Sequence, residues 1–489
     1  MASEKMTEYE RKRLENIKRN NDVMASLKIQ SHAADLSASS KRLREKSYYK
    51  ATSKKRKTPE PESPIVIRRS PRTRGMPPDL SGLPESFKDS SVKPTKSSWL
   101  PQSSLEPSET LSMEQAYEGE GSHLRLIEKL GRLTRNTKSE DENGYLNLST
   151  EFERVHLEEP VDPRSLKLEY DNVARVVPGR IVSIRFLPTA EMTMVVVGNK
   201  NGYLGFWDVK PQNEEEDVIH LYQPHSAPIS GISVHPFSLS KVYSCCYDGF
   251  LRMIDIEREK FELVYSSTDR SFLLSVAQQP NDVNSVYFGE GPGGLNMFDK
   301  RAGEISFSLY PHVGRINSID FSQTDTNILA TSSTDGFACL WDLRKMDVKI
   351  KADHPEGKAL WNVKHKRAVH SAYFSPSGRC VATTSLDDTI GVLGGVNFED
   401  TFMIPHDNLT NRWISTFRAV WGWDDTHLYV GNMKRRVDVL SVTKKKMVHT
   451  LESSHMTAIP CRYDAHPCNV GMLAGATSGG QVYIWTSSS

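Results

Sequence analysis

His312, Thr331 or Ser333, Asp335 and Trp341 fall within one run, His312–Lys345. A histidine, a hydroxyl and a carboxylate are the side-chain types of a nucleophilic triad, in which the base reaches the hydroxyl and is oriented by the acid. The same types also make a buried hydrogen-bond chain that ties strands together. The run reads as His-Val-Gly, an alternating strand (Ile316, Ile319, Phe321), a turn and a second strand over 328–333. A tight Asp335-Gly336 turn and a third strand ending at Trp341-Asp342 follow. These residues are therefore expected to hold a folding unit, not to perform chemistry. Cys245, Cys246, Cys339 and Cys380 fall on predicted strands and read as core, and Asp387-Asp388 reads as a strand-turn pair, not a metal site. The chain shows no GxxxxGK[ST] loop, HExxH helix or nucleophile elbow. The expectation is a protein with no catalytic residues, no metal and no cofactor.

The elements that position these residues repeat. Trp207-Asp208, Ile254-Asp255, Phe298-Asp299, Trp341-Asp342, Leu393, Leu440 and Trp485 occupy equivalent slots, separated by 47, 44, 43, 52, 47 and 45 residues. A WD repeat runs to about 40–45 residues, so seven slots in register imply an all-β, seven-bladed WD-repeat β-propeller over residues 165–489. The histidine slot is read at His225, His312, His365 and His455. The turn before the third strand is read at Asn201-Gly202, Asp248-Gly249, Asp335-Gly336 and Gly479-Gly480. Few residues follow Trp485, so the outer strand of the last blade is expected from Leu166–Val177. Closing the ring in this way hides sheet edges that would otherwise pair with other chains.

The chain has 489 residues with 62 Lys and Arg against 61 Asp and Glu, and this balance conceals an asymmetry. Residues 1–80 hold 20 basic and 10 acidic residues, leaving 42 against 51 for the remainder. No apolar run reaches the roughly 18–20 residues of a membrane span, and the charged first residues do not read as a signal peptide. Six cysteines without a CxxC pair point away from a disulfide framework or a zinc site. Residues 1–40 are expected to carry a short amphipathic helix with Leu14, Ile17, Met24 and Leu27 on one face. Residues 41–164 read as a disordered linker, first basic, then rich in Pro and Ser, then acidic. Its last part, 101–159, holds 13 acids against 6 bases and is taken as solvated chain. Lys41, Arg42 and Arg44 with Lys54, Lys55, Arg56 and Lys57 form two clusters that look like a bipartite import signal, implying an import receptor as partner and the nucleus as location.

Two surfaces of the ring are candidates for binding. On the top rim, basic and aromatic residues are expected at Arg180, Lys200, Tyr247, Arg270, Arg315, Lys364, Lys366, Arg367, Arg412, Trp413, Lys434 and Arg435. Lys and Arg suit phosphates, and Tyr or Trp can stack on a base. On the opposite face, Trp341-Asp342-Leu343-Arg344 ends a third strand with a guanidinium, and Phe298-Asp299-Lys300-Arg301 repeats the arrangement one blade earlier. Trp341, Asp342, Arg344 and Arg301 form the candidate adaptor-binding set, since this form resembles the box by which WD-repeat receptors dock on the adaptor of cullin-4 ubiquitin ligases.

Three stretches carry a wider resemblance: Tyr9–Ile29 (YERKRLENIKRNNDVMASLKI), Asp269–Arg301 (DRSFLLSVAQQPNDVNSVYFGEGPGGLNMFDKR) and Ala330–Lys345. They resemble the WD-repeat-containing protein 76 family, whose fungal members are called changed-mutation-rate proteins, and more distantly damaged-DNA-binding protein 2. The resemblance implies a nuclear protein that binds DNA, favours damaged or modified DNA and acts in the DNA damage response; the expected partner is double-stranded DNA, and the propeller is expected to be monomeric. It also implies links to reading 5-hydroxymethylcytosine and to a cullin-4 ligase, for which the chain would alternatively serve as substrate receptor, with DNA held only by the basic tail.

Overall fold

The computed structural model describes Lys18 and residues 110–137, 160–211, 218–236, 238–346, 359–395 and 398–487. Within residues 1–95, one of two compact units, it describes Lys18 alone, helical and exposed. The rest of the expected amphipathic helix and both clusters of the import signal lie outside the described residues.

In the second unit, seven antiparallel sheets stand in a ring. Their innermost strands are Ile181–Phe186, Ile229–Val234, Leu273–Gln278, Ile316–Phe321, Val369–Phe374, Val420–Trp421 and Pro460–Ala465. Each packs against the innermost strand of the next blade, and the last packs against the first. The sequence dictates this layering. The second strand Met194–Asn199 is wholly buried and apolar from Met194 to Gly198, as suits a strand covered on both faces. The outer strand Glu304–Leu309 instead alternates exposed and half-buried positions, as an edge strand does. Every predicted slot residue, from Trp207 to Trp485, lies on the third strand of its blade. Cys380 precedes its strand, at the end of the turn, and is only half-buried.

The ring closes as expected. Strand Leu166–Arg175 pairs antiparallel with Gln481–Ser487, placing Leu168 opposite Trp485 and Arg175 opposite Gln481.

Residues 110–137 correct the linker reading of 41–164. Strand β1 (Leu111–Ser112) adds a fifth strand to blade 2, with Leu111 opposite Phe261. Ser112 then caps helix α1 (Met113–Ala116), its side chain accepting from Gln115 N while the Gln115 side chain accepts from Ser112 N. Helix α2 (Leu124–Thr137) follows. Leu126, Leu130 and Leu133 are buried against Met194, Phe206, Tyr222 and Phe261 of blades 1 and 2. The acidic balance of 101–159 hid this, because leucines four and three residues apart on one helical face bury apolar surface whatever the charge around them. Each such leucine contributes about 2 kcal/mol. Lys129 Nζ seals the contact, 2.9 Å from Asp208 Oδ2. No helix among the described residues is long and apolar enough to cross a membrane.

Candidate nucleic-acid interface

The framework histidines fix turns of the face on which the candidate residues sit. His312 bridges Asp335 (Nδ1 to Oδ2, 3.0 Å) and Thr331 (Nε2 to Oγ1, 2.7 Å). Trp341 Nε1 donates to the same Thr331 oxygen at 2.8 Å. His312 and Trp341 are fully buried, so this set holds the Asp335-Gly336 turn in place and presents no nucleophile to solvent. His225 repeats the pattern with Asp248 and Ser244, and His365 with Asp387 and Thr383. Burial pushes the carboxyls of Asp248 and Asp335 up, but the histidines together with the backbone N–H groups of Phe250 and Phe337 and the Cys246 and Ser333 side chains hold both below the usual aspartate value.

The fourth predicted histidine is corrected. His455 is half-buried, with its ring against Tyr170, and takes no such part. His406 does instead, with Nε2 3.3 Å from Asp438 Oδ2 and Nδ1 2.8 Å from Asn408 Oδ1. Sequence spacing missed it because the long 406–419 loop separates it from its aspartate by 32 residues, against 22 or 23 in the other blades.

Strands alternate in direction, so the loops entering each innermost strand and the turns between second and third strands emerge on one face, the top. All twelve predicted rim residues lie there. Arg180, Arg270, Arg315, Lys366, Arg367, Arg412 and Trp413 stand on entering loops; Lys200, Tyr247, Lys434 and Arg435 stand on turns; Lys364 ends an outer strand.

One group is joined directly. Arg180 Nη2 donates to the Arg412 carbonyl at 2.9 Å, and Lys200 N donates to the Arg180 carbonyl. The Arg412 guanidinium lies 4.6 Å from the Trp413 ring centroid, and that ring is 68% exposed. Tyr247 packs against exposed Phe272 at 5.5 Å, an aromatic pair that sequence reading saw only by half. Lys364 lies over Phe337. Lys434 and Arg435 line a separate cleft with Ser453, Ser454 and Thr457.

The face as a whole sorts charge. Its loops and turns carry ten Lys and Arg against seven Asp and Glu, and three of those acids, Asp248, Asp335 and Asp387, are already occupied by framework histidines. Arg418, one of the ten, turns into the central channel, where Arg185 and Arg462 also stand. Sequence reading missed these three. Their only signal is a charged residue on, or just before, an inward-facing strand.

On the bottom face, Asp342 is buried and fastens Arg344, accepting from its backbone N at 3.0 Å and from Nε at 2.8 Å. Asp325 takes Nη2 at 3.2 Å. Asp342 is held below the usual aspartate value by these hydrogen bonds from Arg344. Arg301 is freer, 79% exposed and 3.8 Å from Asp299. Arg344 is therefore pre-oriented and Arg301 is open. Among the described residues, His225, Cys246 and Asp248 are the one group close enough to hold a metal ion, and their bonds to Ser244, Ala227 and one another account for them as framework.

A closed ring of seven such blades defines a WD-repeat β-propeller protein, and the WD40 family pattern (WD domain, G-beta repeat) matches residues 303–342 and 357–392. The chain is 27% identical to WD repeat-containing protein 76 of Rhinolophus ferrumequinum over 98% of its own length and 74% of that protein's. The Xenopus laevis protein of the same name is 28% identical over 98% of this chain and 80% of its own. DNA damage-binding protein cmr1 of Neurospora crassa is 28% identical over 64% of this chain and 66% of its own. The chain thus resembles the WD repeat-containing protein 76 family along nearly all of its length.

Proposed function

We propose that this protein binds double-stranded DNA through the top face of its propeller, without catalysing a reaction, and acts in the nucleus in the response to DNA damage. The charge sorting of that face carries the reading: basic loops crown a propeller whose residues 160–489 hold 33 Lys and Arg against 36 Asp and Glu. The fungal relatives named DNA damage-binding proteins support it, as do the basic clusters Lys41–Arg44 and Lys54–Lys57 as an import signal. Phosphate contacts by Arg315, Arg412 and Lys434 would release counterions, and Trp413 offers a stacking face for a distorted or 5-hydroxymethylated base. The test is duplex affinity against salt for the full chain carrying Arg315→Glu, Arg412→Glu and Lys434→Glu. Each lost phosphate contact lowers the slope of log K on log salt by about 0.9, so a fall of about three is expected. An affinity and slope equal to the unaltered chain's would remove the top face from DNA binding. Running plain, ultraviolet-irradiated and 5-hydroxymethylcytosine duplexes in parallel shows which is preferred.

Arg344 and Arg301, at matching exits of neighbouring blades, favour a second and compatible reading: substrate receptor of a cullin-4 ubiquitin ligase, docked by the bottom face. Arg301→Ala with Arg344→Ala is expected to abolish co-purification of the ligase adaptor. Undiminished recovery counts against it.

A further inference from the structure

The innermost strands enclose a narrow channel with a cavity of about 50 Å³. Its wall is unevenly charged with depth. Towards the bottom, Arg185 is matched, with Nη1 3.0 Å from Asp464 Oδ1 and Asp320 acting on it as well. Near the top mouth, where the innermost strands begin, Arg462 and Arg418 have no such match. Arg462 is only 7% exposed. Its Nε donates to the Val182 carbonyl at 2.8 Å and its Nη1 to the carbonyls of Thr416 and Cys461. Its Nη2 has no acceptor among the described residues. Arg418 donates from Nη2 to the Asn317 carbonyl at 2.9 Å and from Nη1 to the Tyr373 hydroxyl at 3.3 Å, while its buried Nε has no partner among them. Beside them, His370 Nε2 is likewise buried and unpartnered.

Carbonyls satisfy guanidinium hydrogens without neutralising the charge, and two like charges in a low-dielectric wall repel. Burial and then Arg418 bring Arg462 down to about 9. Burial, with Arg418, Arg462 and Arg315, brings His370 down to about 3, so near neutral pH it is an uncharged ring and a ready hydrogen-bond partner. An oxyanion at this level would take up the free donors and supply the missing negative charge.

We propose that the top mouth of the channel is an anion site for the phosphate of an unpaired nucleotide, gripped by Arg418 and Arg462 with His370 beside them. This rests on the DNA reading above. A cavity of this size has room for a phosphate group and not for a base, and a terminal or extruded nucleotide can turn its phosphate inwards as a continuous duplex cannot. The approach favours a nucleotide over an acidic peptide: Tyr247, close enough to act on Arg462, pairs with Phe272, and exposed Trp413 stands on the same face. Aromatic faces stack bases and do nothing for a carboxylate.

The experiment measures affinity of the full-length protein for a duplex with a short 5′ overhang ending in phosphate, for the same duplex ending in hydroxyl, and for a blunt duplex. Charge-assisted hydrogen bonds of this kind predict about a tenfold preference for the phosphate end. In Arg418→Gln the ratio of phosphate-end to hydroxyl-end affinity is expected to fall close to one. If that variant does not fold, excess deoxyadenosine monophosphate must instead erase the preference in the unaltered protein. Equal binding of the two ends overturns the site, and retained blunt-duplex affinity would then leave the DNA reading standing. Loss of all three would sink that reading itself. Stabilisation by inorganic phosphate with no end preference would mean an adventitious ion only. Displacement of the overhang by polyglutamate better than by the mononucleotide would make the site one for acidic peptide, which also overturns the proposal.

Discussion

Asp335 shows how much rests on one side chain. Its Oδ2 receives His312 and the backbone N–H of Val313, and its Oδ1 receives the N–H of Phe337. It thereby fastens the end of one blade's outer connection to the turn of the next. That turn is tight because Gly336 sits at φ 92°, where a Cβ would come 3.0 Å from the His365 carbonyl. Arg435, at the equivalent place in blade 6, reaches φ 60° with a side chain, which projects its guanidinium onto the rim at some backbone cost. Asp335→Asn keeps the shape but weakens the charge-assisted bonds, so a loss of about 1–3 kcal/mol is expected in urea unfolding at pH 7. The sign with pH follows from the carboxyl's lowered value. A group whose folded pKa lies below its ordinary 3.8 stabilises fully above that pH and loses its contribution as pH falls through the folded value. The gap between variant and unaltered protein is therefore expected to stay constant above about pH 4 and narrow below it. A gap that widened on acidification would contradict the assignment.

The blade is the element that sequence reads most easily. Its pattern appears seven times, and weak matches such as Leu393 and Leu440 gain meaning from their spacing. Helix α2 had no second copy to support it. Leu126, Leu130 and Leu133 lie in a stretch whose acidic balance suggested solvated chain, and Gly131 interrupts the helical pattern. What makes α2 fold is the apolar flank of blades 1 and 2, including Met194 and Phe206, which no local window contains. The same holds for the channel: Arg462 shares its short strand with Asp464, and only the closed ring gives Asp464 to Arg185 and brings Arg418 to Arg462. Leu130→Ala is expected to cost about 2–5 kcal/mol of local stability. Limited proteolysis is the better readout, since this segment can open without the ring: new cleavage within 110–137 should precede any loss of the propeller core. If the variant is cleaved no faster than the unaltered chain, the leucine contact is not what holds the segment.

At the scale of the whole molecule, closure by Leu166–Arg175 onto Gln481–Ser487 fixes two faces that cannot approach each other. The strands between them are mostly six residues long, so the faces are about 20 Å apart at roughly 3.3 Å per residue. The Debye length is about 8 Å at physiological salt, so exposed charges on one face barely register on the other. Arg344 adds little long-range field in any case, because Asp342 and Asp325 already balance it. A ring of this thickness therefore allows DNA on the top and a protein adaptor on the bottom at once, and it predicts that the two are separable. The double variant Arg301→Ala with Arg344→Ala, which should lose the adaptor, is expected to bind duplex DNA within about twofold of the unaltered protein at 0.15 M salt, with the same slope of log K on log salt. A parallel drop in affinity would mean that bottom-face charge reaches the DNA after all. A shallower slope would mean that Arg301 or Arg344 touches phosphate directly, and then the DNA must wrap past the edge of the ring.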